Sequence, residues 1–337
     1  MLESVPSNAL PPALSPRNPG NPTEAVRHER PFSEYAIAFE AGVPTKLELV
    51  EPWVRLDTGG LLIDVGTGSG GVAARLAAGR RDAIVMALDN LPGMLEQARN
   101  RHRGHPNLHF AACDAEEFGG EEEQADTVML LSLLHEVYAY RGRSLARVAH
   151  AIERSAARLK QRGRLLIKDF VRPRAADRPV LLHHLHADVR PGRSFADFAT
   201  ASPHAVRLES VQTHTDHVVY ETTLGDCYEY LFRKDYTTTW TCELSERYGF
   251  WTSAEAVALV SGTGLIVRHA VEIDNTWVQE NRVNGRVVVR DPRDGSPVPL
   301  KLSQLFLVAE KPAGRAVRRH PVPAGHFRSF PELRLGA

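Results

Sequence analysis

The sequence predicts an α/β fold, a doubly wound and mostly parallel sheet of seven strands with helices on both faces. Apolar runs with strand character alternate with runs of helical spacing from residue 60 to 170, and the alternation returns at 251–311. The first apolar run, LLIDV at 61–65, leads directly into the glycine turn GTGSGG at 66–71. Repeated strand–helix alternation implies right-handed crossovers and therefore a parallel sheet.

The first five strands and their helices follow one another along the chain. In order, they are the strand LLIDVG, the helix GGVAARLAAG, the strand AIVMALD, the helix PGMLEQARNR, the strands NLHFAACD and ADTVMLLSLL, the helix SLARVAHAIERSAARLKQRG and the strand GRLLIKDF. Pro92 stands in the first turn of its helix, where a missing N–H costs nothing. Gly163 is the expected C-cap of the long helix. ADTVMLLSLL is apolar on both faces, which is typical of a central parallel strand.

The alternation stops between residues 171 and 250. This segment is first rich in His and Arg and then in aromatic residues, with eight of the 24 aromatic residues of the chain at 228–251. We interpret it as an insert between strands five and six. An aromatic cluster over the carboxyl edge of the sheet would form an apolar lid around an organic ligand. A small helical core that packs only for stability is the alternative.

Strand–helix order returns after the insert. Thr252 and Glu255 form a capping box at a helix start, LIVRHAVEI is the sixth strand, and SQLFLVAEK is the seventh. Asn284-Gly285 predicts a two-residue hairpin turn within NRVNGRVVVRD. The proline-rich N-terminus is typical of disorder. The predicted divisions are a disordered tail at 1–30, a core at 31–170, the insert or lid at 171–250, the rest of the core sheet at 251–311 and a basic tail at 312–337.

Composition narrows the class of protein. Lys and Arg number 41 and Asp and Glu number 41, and this balance argues against a large nucleic-acid surface. Three widely spaced cysteines form neither a disulfide framework nor a zinc knuckle, which favours a reducing compartment. No apolar stretch is long enough to span a membrane, and no signal peptide is predicted. We therefore expect a cytoplasmic protein that does not contact a membrane.

The glycine turn fits two cofactor fingerprints. Gly66, Gly68 and Gly71 satisfy GxGxxG, the dinucleotide signature. Asp64 with Gly66, Gly68 and Gly70 satisfies DxGxGxG, the turn of S-adenosylmethionine enzymes. In both, glycines let the backbone approach the ligand and the following helix presents its N–H groups. The turn alone does not decide between them, nor does Asp89, which would bind ribose hydroxyls in either case.

Three further features favour the second fingerprint. Asp64 lies where a carboxylate can reach the amino group of a methionine moiety, whereas an anionic pyrophosphate would be repelled there. Asp114 follows strand three, where a carboxylate can accept a hydrogen bond from an adenine amine. The chain also ends with helix, strand, long connection and strand, an order that suits an antiparallel seventh strand between strands five and six.

With these features the chain resembles the class I S-adenosylmethionine-dependent methyltransferases over roughly residues 35 to 311. The resemblance rests on DVGTGSGG, ALD at 87–89, CDAEEF at 113–118, VMLLSLLHEV at 128–137 and GRLLIKDF. It implies the strand order 3-2-1-4-5-7-6 and S-adenosylmethionine as cofactor. The residues that it implies for cofactor binding are Asp64, Gly66, Gly68, Gly70, Asp89, Asn90, Asp114, Ala115, Leu131 and Ser132. Among these, Asp89 would bind the ribose hydroxyls and Asp114 the adenine amine.

The segment after strand four is where a catalytic group would lie. It reads SLLHEVYAY and lacks the (D/N)PP(Y/F) motif of methylases that act on amide or exocyclic nitrogens. His135, with a pKa near neutral, is a candidate general base for an oxygen acceptor, although it could equally pack beneath the cofactor. Tyr138 and Asp169 are further catalytic candidates, whereas Glu136 is read as a charge at a helix start.

The predicted function is methyl transfer to a small organic acceptor at an oxygen, nitrogen or carbon atom. Polar residues within the aromatic segment are expected to bind that acceptor, namely Arg233, Lys234, Asp235 and Tyr236. Methylation of RNA or protein is the alternative, an NAD(P)-dependent oxidoreductase a remote one, and a non-catalytic module another. No metal is predicted, because the histidines do not follow a standard zinc spacing; they are His183, His184, His186, His214 and His217.

Overall fold

A computed structural model describes residues 40–118 and 124–314 of the chain. The disordered tail expected at 1–30, and all but three residues of the basic tail expected at 312–337, lie outside the described residues. The strands are β1 (Leu61–Val65), β2 (Ile84–Asp89), β3 (Leu108–Ala112), β4 (Ala125–Leu131), β5 (Leu159–Phe170), β6 (Pro179–Leu185), β7 (Ser210–Thr213), β8 (His217–Thr223), β9 (Ile266–Asp274), β10 (Val287–Arg290) and β11 (Ser303–Glu310).

The helices connect these strands and cover the main sheet. They are α1 (Val43–Val50), α2 (Gly71–Gly79), α3 (Pro92–Arg101), α4 (Leu134–Tyr140), α5 (Leu145–Arg158), α6 (Phe195–Ala201), α7 (Leu224–Leu231), α8 (Trp240–Ser245) and α9 (Ser253–Gly262). Short helical turns lie at Glu51–Trp53, His186–Asp188, Thr276–Val278 and Gln279–Val283. In the described ranges, no helix has both the length and the apolar character needed to cross a membrane.

Seven strands form the main sheet in the order β3-β2-β1-β4-β5-β11-β9. β9 and β11 are the sixth and seventh strands of this sheet, so the predicted order 3-2-1-4-5-7-6 is confirmed. The first five strands pair in parallel, and β11 runs antiparallel to both β5 and β9. Every residue of β4 is buried, as its two apolar faces predict. The parallel strands therefore end at one edge of the sheet, which is where the candidate site lies.

The insert folds as a second sheet with its own core. β10, β6, β8 and β7 pair antiparallel in that order. The aromatic residues of the insert pack with α7 in this core, among them Phe195, Phe198, Tyr230 and Trp240. Most of the aromatic segment is therefore the interior of a folded unit, which corresponds to the alternative of a packed core.

Two local predictions at element boundaries are wrong. The hairpin expected at Asn284-Gly285 does not form, because residues 279–283 are helical and β10 pairs instead with β6. β10 thus belongs to the second sheet, although it falls within the segment assigned to the core sheet. The long helix ends at Arg158 rather than near Gly163, and Gly163 lies inside β5. A Cβ on Gly163 would lie 2.8 Å from the Lys160 carbonyl oxygen, so a side chain there would clash with the backbone.

The capping box at the start of α9 forms as the sequence predicts. The Glu255 backbone N–H donates to Thr252 Oγ1 at 3.2 Å, and the Thr252 N–H donates to Glu255 Oε2 at 2.7 Å. These two bonds satisfy N–H groups that a helix start otherwise leaves unpaired. They close the first turn of α9.

Candidate active site

The glycine turn joins β1 to α2 with a backbone that favours glycine. Gly66, Gly68 and Gly70 have φ values of 71°, 57° and 77°, in the left-handed region that costs other residues about 1–2 kcal/mol each. A Cβ on Gly66 would also lie 2.6 Å from Leu133 Cδ1. The turn therefore needs glycine for its conformation and for its close approach to the segment after β4.

Asp89, at the end of β2, fixes the turn. Its Oδ2 accepts from the Gly68 N–H at 2.9 Å, and its Oδ1 accepts from the Leu91 N–H at 2.9 Å. The carboxylate is buried, yet it lines an open cleft. A carboxylate that lines a cleft is a suitable acceptor for ligand hydroxyls.

The cleft runs along the carboxyl edge of β1, β2, β3 and β4. Seven of the ten cofactor residues expected from the sequence line it, namely Gly66, Gly68, Asp89, Asn90, Asp114, Ala115 and Ser132. Eight residues that the sequence did not single out for the cofactor also line it, namely Leu91, Met94, Cys113, Leu133, Glu136, Val137, Tyr140 and Arg141. The cleft thus combines carboxylates that accept hydrogen bonds, glycine backbone and apolar side chains. This combination fits a nucleoside with a cationic tail.

The other three expected cofactor residues do not line the cleft. Leu131 is buried within β4. Gly70 packs against Phe110, and a Cβ added to Gly70 would lie only 2.8 Å from Phe110 Cε1. Asp64 is buried behind the glycine turn, where its Oδ2 accepts from Thr67 Oγ1 at 2.7 Å. Burial raises the pKa of Asp64 to about 6, although the hydrogen bond from Thr67 and the charge of Lys46 oppose the shift.

Arg141 occupies the end of the cleft where adenine is expected. Its guanidinium donates to Asp114 Oδ2 and lies 3.3 Å from Glu116 Oε2. Burial acts to raise the pKa of Asp114, but the Glu116 N–H, Arg141 and Asn90 together hold it below its usual value. The cavity volume of the cleft is about 40 Å³. An adenine ring that used Asp114 would therefore compete with Arg141 for the same oxygen.

Ser132 marks the point where β4 enters the cleft. Its φ of 58° is in the left-handed region, and its N–H donates to the Lys168 carbonyl oxygen at 2.6 Å. Such a conformation costs a non-glycine residue about 1–3 kcal/mol and persists only where the surroundings enforce it. The strained residue thus lies between the glycine turn and α4, where the sequence places the reacting group.

His135 is held between two buried carboxylates. Its Nδ1 lies 2.7 Å from Asp169 Oδ1, and its Nε2 lies 3.4 Å from Glu246 Oε2. Burial acts to lower the pKa of His135, but the charges and hydrogen bonds of Asp169 and Glu246 outweigh it and raise the pKa to about 10. The two neighbouring carboxylates therefore favour the protonated form of the imidazole and shift its pKa above the near-neutral value expected from the sequence.

Asp169 and Tyr138, the other two catalytic candidates, lie in different surroundings. Asp169 is fully buried and accepts from the backbone N–H groups of Leu134 and His135, so it caps the start of α4 as well as orienting the His135 ring. Tyr138 stacks on Phe250 with ring centroids 5.3 Å apart and does not line the cleft. The structure brings together His135 and Asp169, and it leaves Tyr138 on another face of α4.

The polar residues expected to bind an acceptor are paired within the second core. Arg233 is fully buried against Glu229, and Lys234 Nζ donates to Asp188 Oδ2 at 2.6 Å. Asp235 lies 3.2 Å from Lys234 Nζ, and the Arg282 guanidinium lies over the Tyr236 ring. None of these four expected residues lines either of the two cavities described for residues 40–118 and 124–314.

The histidine-rich stretches place their rings on the second sheet. His184 is fully buried, with Nε2 2.7 Å from Asp188 Oδ2 and Nδ1 3.1 Å from the Tyr230 hydroxyl. The His217 ring stacks on those of His183 and His214, with ring centroids 5.3 and 4.6 Å apart. His186 Nε2 bonds to the His214 carbonyl oxygen. Each of the five histidines therefore has a hydrogen bond or a ring contact within the second sheet and its surroundings.

A second cavity lies beside the exit of β5. Its volume is about 230 Å³, and its lining includes Val171, Arg172, Tyr228, Phe232 and Gly249. The Phe170 ring contacts both Phe232, which lines this cavity, and His135. Ring centroids lie 5.0 Å apart between Phe170 and Phe232 and 5.2 Å apart between Phe170 and His135. Two successive ring contacts thus connect the wall of the cavity to His135.

Comparison with known proteins agrees with this architecture. Residues 62–158 match the family model described as a methyltransferase domain. No curated protein sequence matches the chain.

Two solved structures are similar in fold. A candidate methyltransferase from Haloferax volcanii, solved in complex with the Trm112 methyltransferase activator, is 15% identical with a TM-score of 0.51, over 85% of this chain and 98% of that one. A candidate methyltransferase from Bacillus halodurans C-125 is 16% identical with a TM-score of 0.48, over 80% of this chain and 100% of that one. The chain thus contains a methyltransferase domain at residues 62–158, within a sheet whose strand order is the one that the resemblance to the class I S-adenosylmethionine-dependent methyltransferases implies.

Proposed function

We propose that the protein transfers the methyl group of S-adenosylmethionine to a small organic acceptor. The observation that carries the proposal is how closely the insert packs over the exits of β4 and β5. Tyr248 of the insert stacks on Phe170 with ring centroids 4.1 Å apart, and Glu246 accepts from the Tyr140 hydroxyl at 3.1 Å. A polymer would need an open groove at this point, whereas a small molecule needs only a cavity.

The second cavity supports the same acceptor class. Its volume of about 230 Å³ is below the range of roughly 300–1,000 Å³ typical of pockets for drug-sized ligands. Aromatic side chains from Tyr228 and Phe232 and the guanidinium groups of Arg172 and Arg247 share its wall. Arg174, Asp177 and Glu229 also line the cavity, so a compact and largely polar molecule with one apolar face fits it.

Methyl transfer from a sulfonium requires mainly that the protein position the acceptor and the cofactor relative to each other. When bound, S-adenosylmethionine supplies an activated methyl group on a positively charged sulfur. The chain's part is to hold the acceptor atom in line behind that methyl group, which can account for roughly 7–11 kcal/mol of the barrier. The buried carboxylate of Glu136, which lines the cleft, favours a cationic centre there, and the insert limits access of water.

A reducing compartment completes the proposal. Cys113, Cys227 and Cys242 are all buried and none is in a disulfide. Disulfides rarely persist in the cytosol, so three cysteines outside disulfides suit a cytoplasmic enzyme.

The acceptor class is tested by following label from methyl-labelled S-adenosylmethionine into a cell extract. We expect label in the fraction of low molecular mass, and not in RNA or protein after those are separated. The Asp89→Ala variant, run in parallel, gives the background, because it lacks a carboxylate of the cofactor cleft. Label that enters RNA or protein in an Asp89-dependent way would overturn the small-acceptor proposal, and no transfer to any fraction would count against methyl transfer itself.

The buried position of Asp64 predicts that cofactor affinity falls in mild acid. Its pKa is raised to about 6, so lowering the pH through that value protonates the carboxylate and removes its attraction for the cofactor's amino group. Below pH 6 the dissociation constant should rise by up to about tenfold per pH unit, as one linked proton requires. Calorimetric titrations from pH 5 to 8 measure this, and Asp64→Asn should bind more weakly at pH 8 with a flatter profile. An unchanged slope in Asp64→Asn would show that another group is responsible.

A further inference from the structure

We propose that His135, Glu136 and Glu246 form a binding site for a divalent first-row metal ion, of the size and preference of Zn²⁺ or Mn²⁺. One ligand atom from each residue lies within 4.8 Å of the others, and all three side chains are buried. Among the described residues, no other group of three histidine, cysteine or acidic side chains brings its ligand atoms so close together.

The spacing between the ring nitrogen and the insert carboxylate fits a metal better than a hydrogen bond. His135 Nε2 and Glu246 Oε2 are 3.4 Å apart. A charge-assisted N–H···O bond is typically about 2.7–2.9 Å long. Two ligands about 2.1 Å from a tetrahedral ion, by contrast, lie about 3.4 Å from each other. Only Glu136 then has to approach by a small side-chain adjustment to complete a site with three protein ligands.

The surroundings of the three residues orient them as metal sites require. Asp169 bonds to His135 Nδ1 at 2.7 Å, which leaves Nε2 facing Glu246. Metal-binding histidines usually have such a carboxylate behind them, because it fixes the ring and makes the ligand nitrogen more basic. The Tyr140 hydroxyl donates to Glu246 Oε1 at 3.1 Å and orients the second ligand. The Phe170 and Tyr248 rings meet the His135 ring edge-on, at centroid distances of 5.2 and 5.1 Å.

Charge balance favours the same conclusion. Asp169, Glu136 and Glu246 are all buried around one imidazole ring. Buried carboxylates require compensating positive charge, and Lys46 supplies part of it, since Glu136 and Asp169 act on its pKa. A divalent ion that replaces the proton on Nε2 adds one positive charge to the group. One imidazole nitrogen with two carboxylates suits Zn²⁺ or Mn²⁺, whereas Mg²⁺ and Ca²⁺ prefer oxygen ligands alone.

The site would face the cofactor cleft. Glu136 is one of the residues that line the cleft, so an ion with three protein ligands would have its open position on that side. There it could bind an acceptor oxygen and lower the pKa of its hydroxyl. This consequence rests on the proposed methyl transfer, whereas metal binding itself does not.

Metal binding is tested on the full chain, without cofactor or acceptor, after dialysis against a chelator. Calorimetry should show one equivalent of Zn²⁺ or Mn²⁺ bound at pH 7.5, with Mg²⁺ much weaker. Glu246→Gln and Glu136→Gln should each weaken binding at least about tenfold, since even supporting residues have effects of 10–100-fold. Glu243→Gln is the matched control: it removes a buried acid one turn away in α8 that bonds to Tyr248, and it should bind as the wild type does.

The surface histidines provide the competing site. His217 stacks on His183 and His214, so His217→Ala disrupts that group and should leave binding unchanged. Absence of Zn²⁺ and Mn²⁺ binding to the wild type would overturn the proposal. So would binding that survives both glutamine variants, or that His217→Ala abolishes. Thermal unfolding of each variant shows that it is folded, and if Glu246→Gln does not fold, Glu136→Gln decides. Metal binding without methyl transfer would leave this inference standing and count against the proposed function alone.

Discussion

Asp89→Ala lowers the affinity for S-adenosylmethionine by about 10- to 100-fold, the largest loss that we expect from one side chain in the cleft. Two effects combine. The variant removes the carboxylate expected to bind the ribose hydroxyls, and charge-assisted hydrogen bonds contribute roughly 1.5–3 kcal/mol each. It also frees the N–H groups of Gly68 and Leu91, each of which now donates to Asp89 at 2.9 Å. The glycine turn would then lose its attachment to β2.

Calorimetric titration with S-adenosylmethionine or its demethylated product measures this loss. Asp82→Ala is the matched control, because Asp82 is an exposed aspartate before the other end of β2. Asp89→Asn keeps the size of the side chain and one acceptor oxygen, so its affinity should lie between those of the wild type and the alanine variant. If Asp89→Ala binds as tightly as Asp82→Ala, the ribose assignment fails.

The cofactor side of the site could be predicted from the sequence because its determinants are local. Gly66, Gly68 and Asp89 lie within one strand–helix–strand unit, and their spacing follows from backbone geometry alone. Asp114 comes from the end of the next strand along the same edge. The order of the parallel strands thus brings these residues together without any knowledge of side-chain packing. For this reason the predicted strand order is confirmed, and seven of the ten expected cofactor residues line one cleft.

The acceptor side could not be predicted, because it depends on contacts between distant segments. Glu246 reaches His135 across 111 positions of sequence. Nothing in SLLHEVYAY indicates that the histidine would lie between two carboxylates, so its raised pKa has no local signal. β10 pairs with β6, which lies about a hundred residues earlier in the chain. The local Asn284-Gly285 turn motif instead predicted that β10 would pair with the segment just before it. Arg141 lies in the cleft only because α4 folds back over it.

Tyr138 shows how a helix divides neighbouring residues between different surroundings. It is three positions after His135, and residues three apart usually share a face of a helix. Yet α4 is a helix of only seven residues, and Tyr138 turns towards Phe250 while Glu136 and Tyr140 line the cleft. Because α4 is buried on several sides, its apolar residues do not form one stripe. The spacing of apolar residues in the sequence therefore does not show which side of α4 faces the cofactor.

Asp169→Ala should destabilise the protein by about 3–5 kcal/mol. Asp169 is fully buried and accepts from the backbone N–H groups of Leu134 and His135 and from the His135 ring. Removing one partner of a buried ion pair leaves the other charge without compensation, which is the costly case. Here the start of α4 also loses its cap. A loss of this size is a large share of the 5–15 kcal/mol by which proteins are stable.

Urea unfolding measures the loss, and Asp169→Asn separates its two causes. The amide oxygen of Asn can still accept from the backbone N–H groups of α4, so this variant keeps the cap and removes only the charge beside His135. We therefore expect its free energy of unfolding to lie between those of the wild type and Asp169→Ala. Asp177→Ala removes an exposed aspartate seven residues after the end of β5 and should change stability by less than about 0.5 kcal/mol. If Asp169→Ala is as stable as Asp177→Ala, then α4 is held by its apolar contacts alone, and the carboxylate behind His135 has no part in positioning the ring.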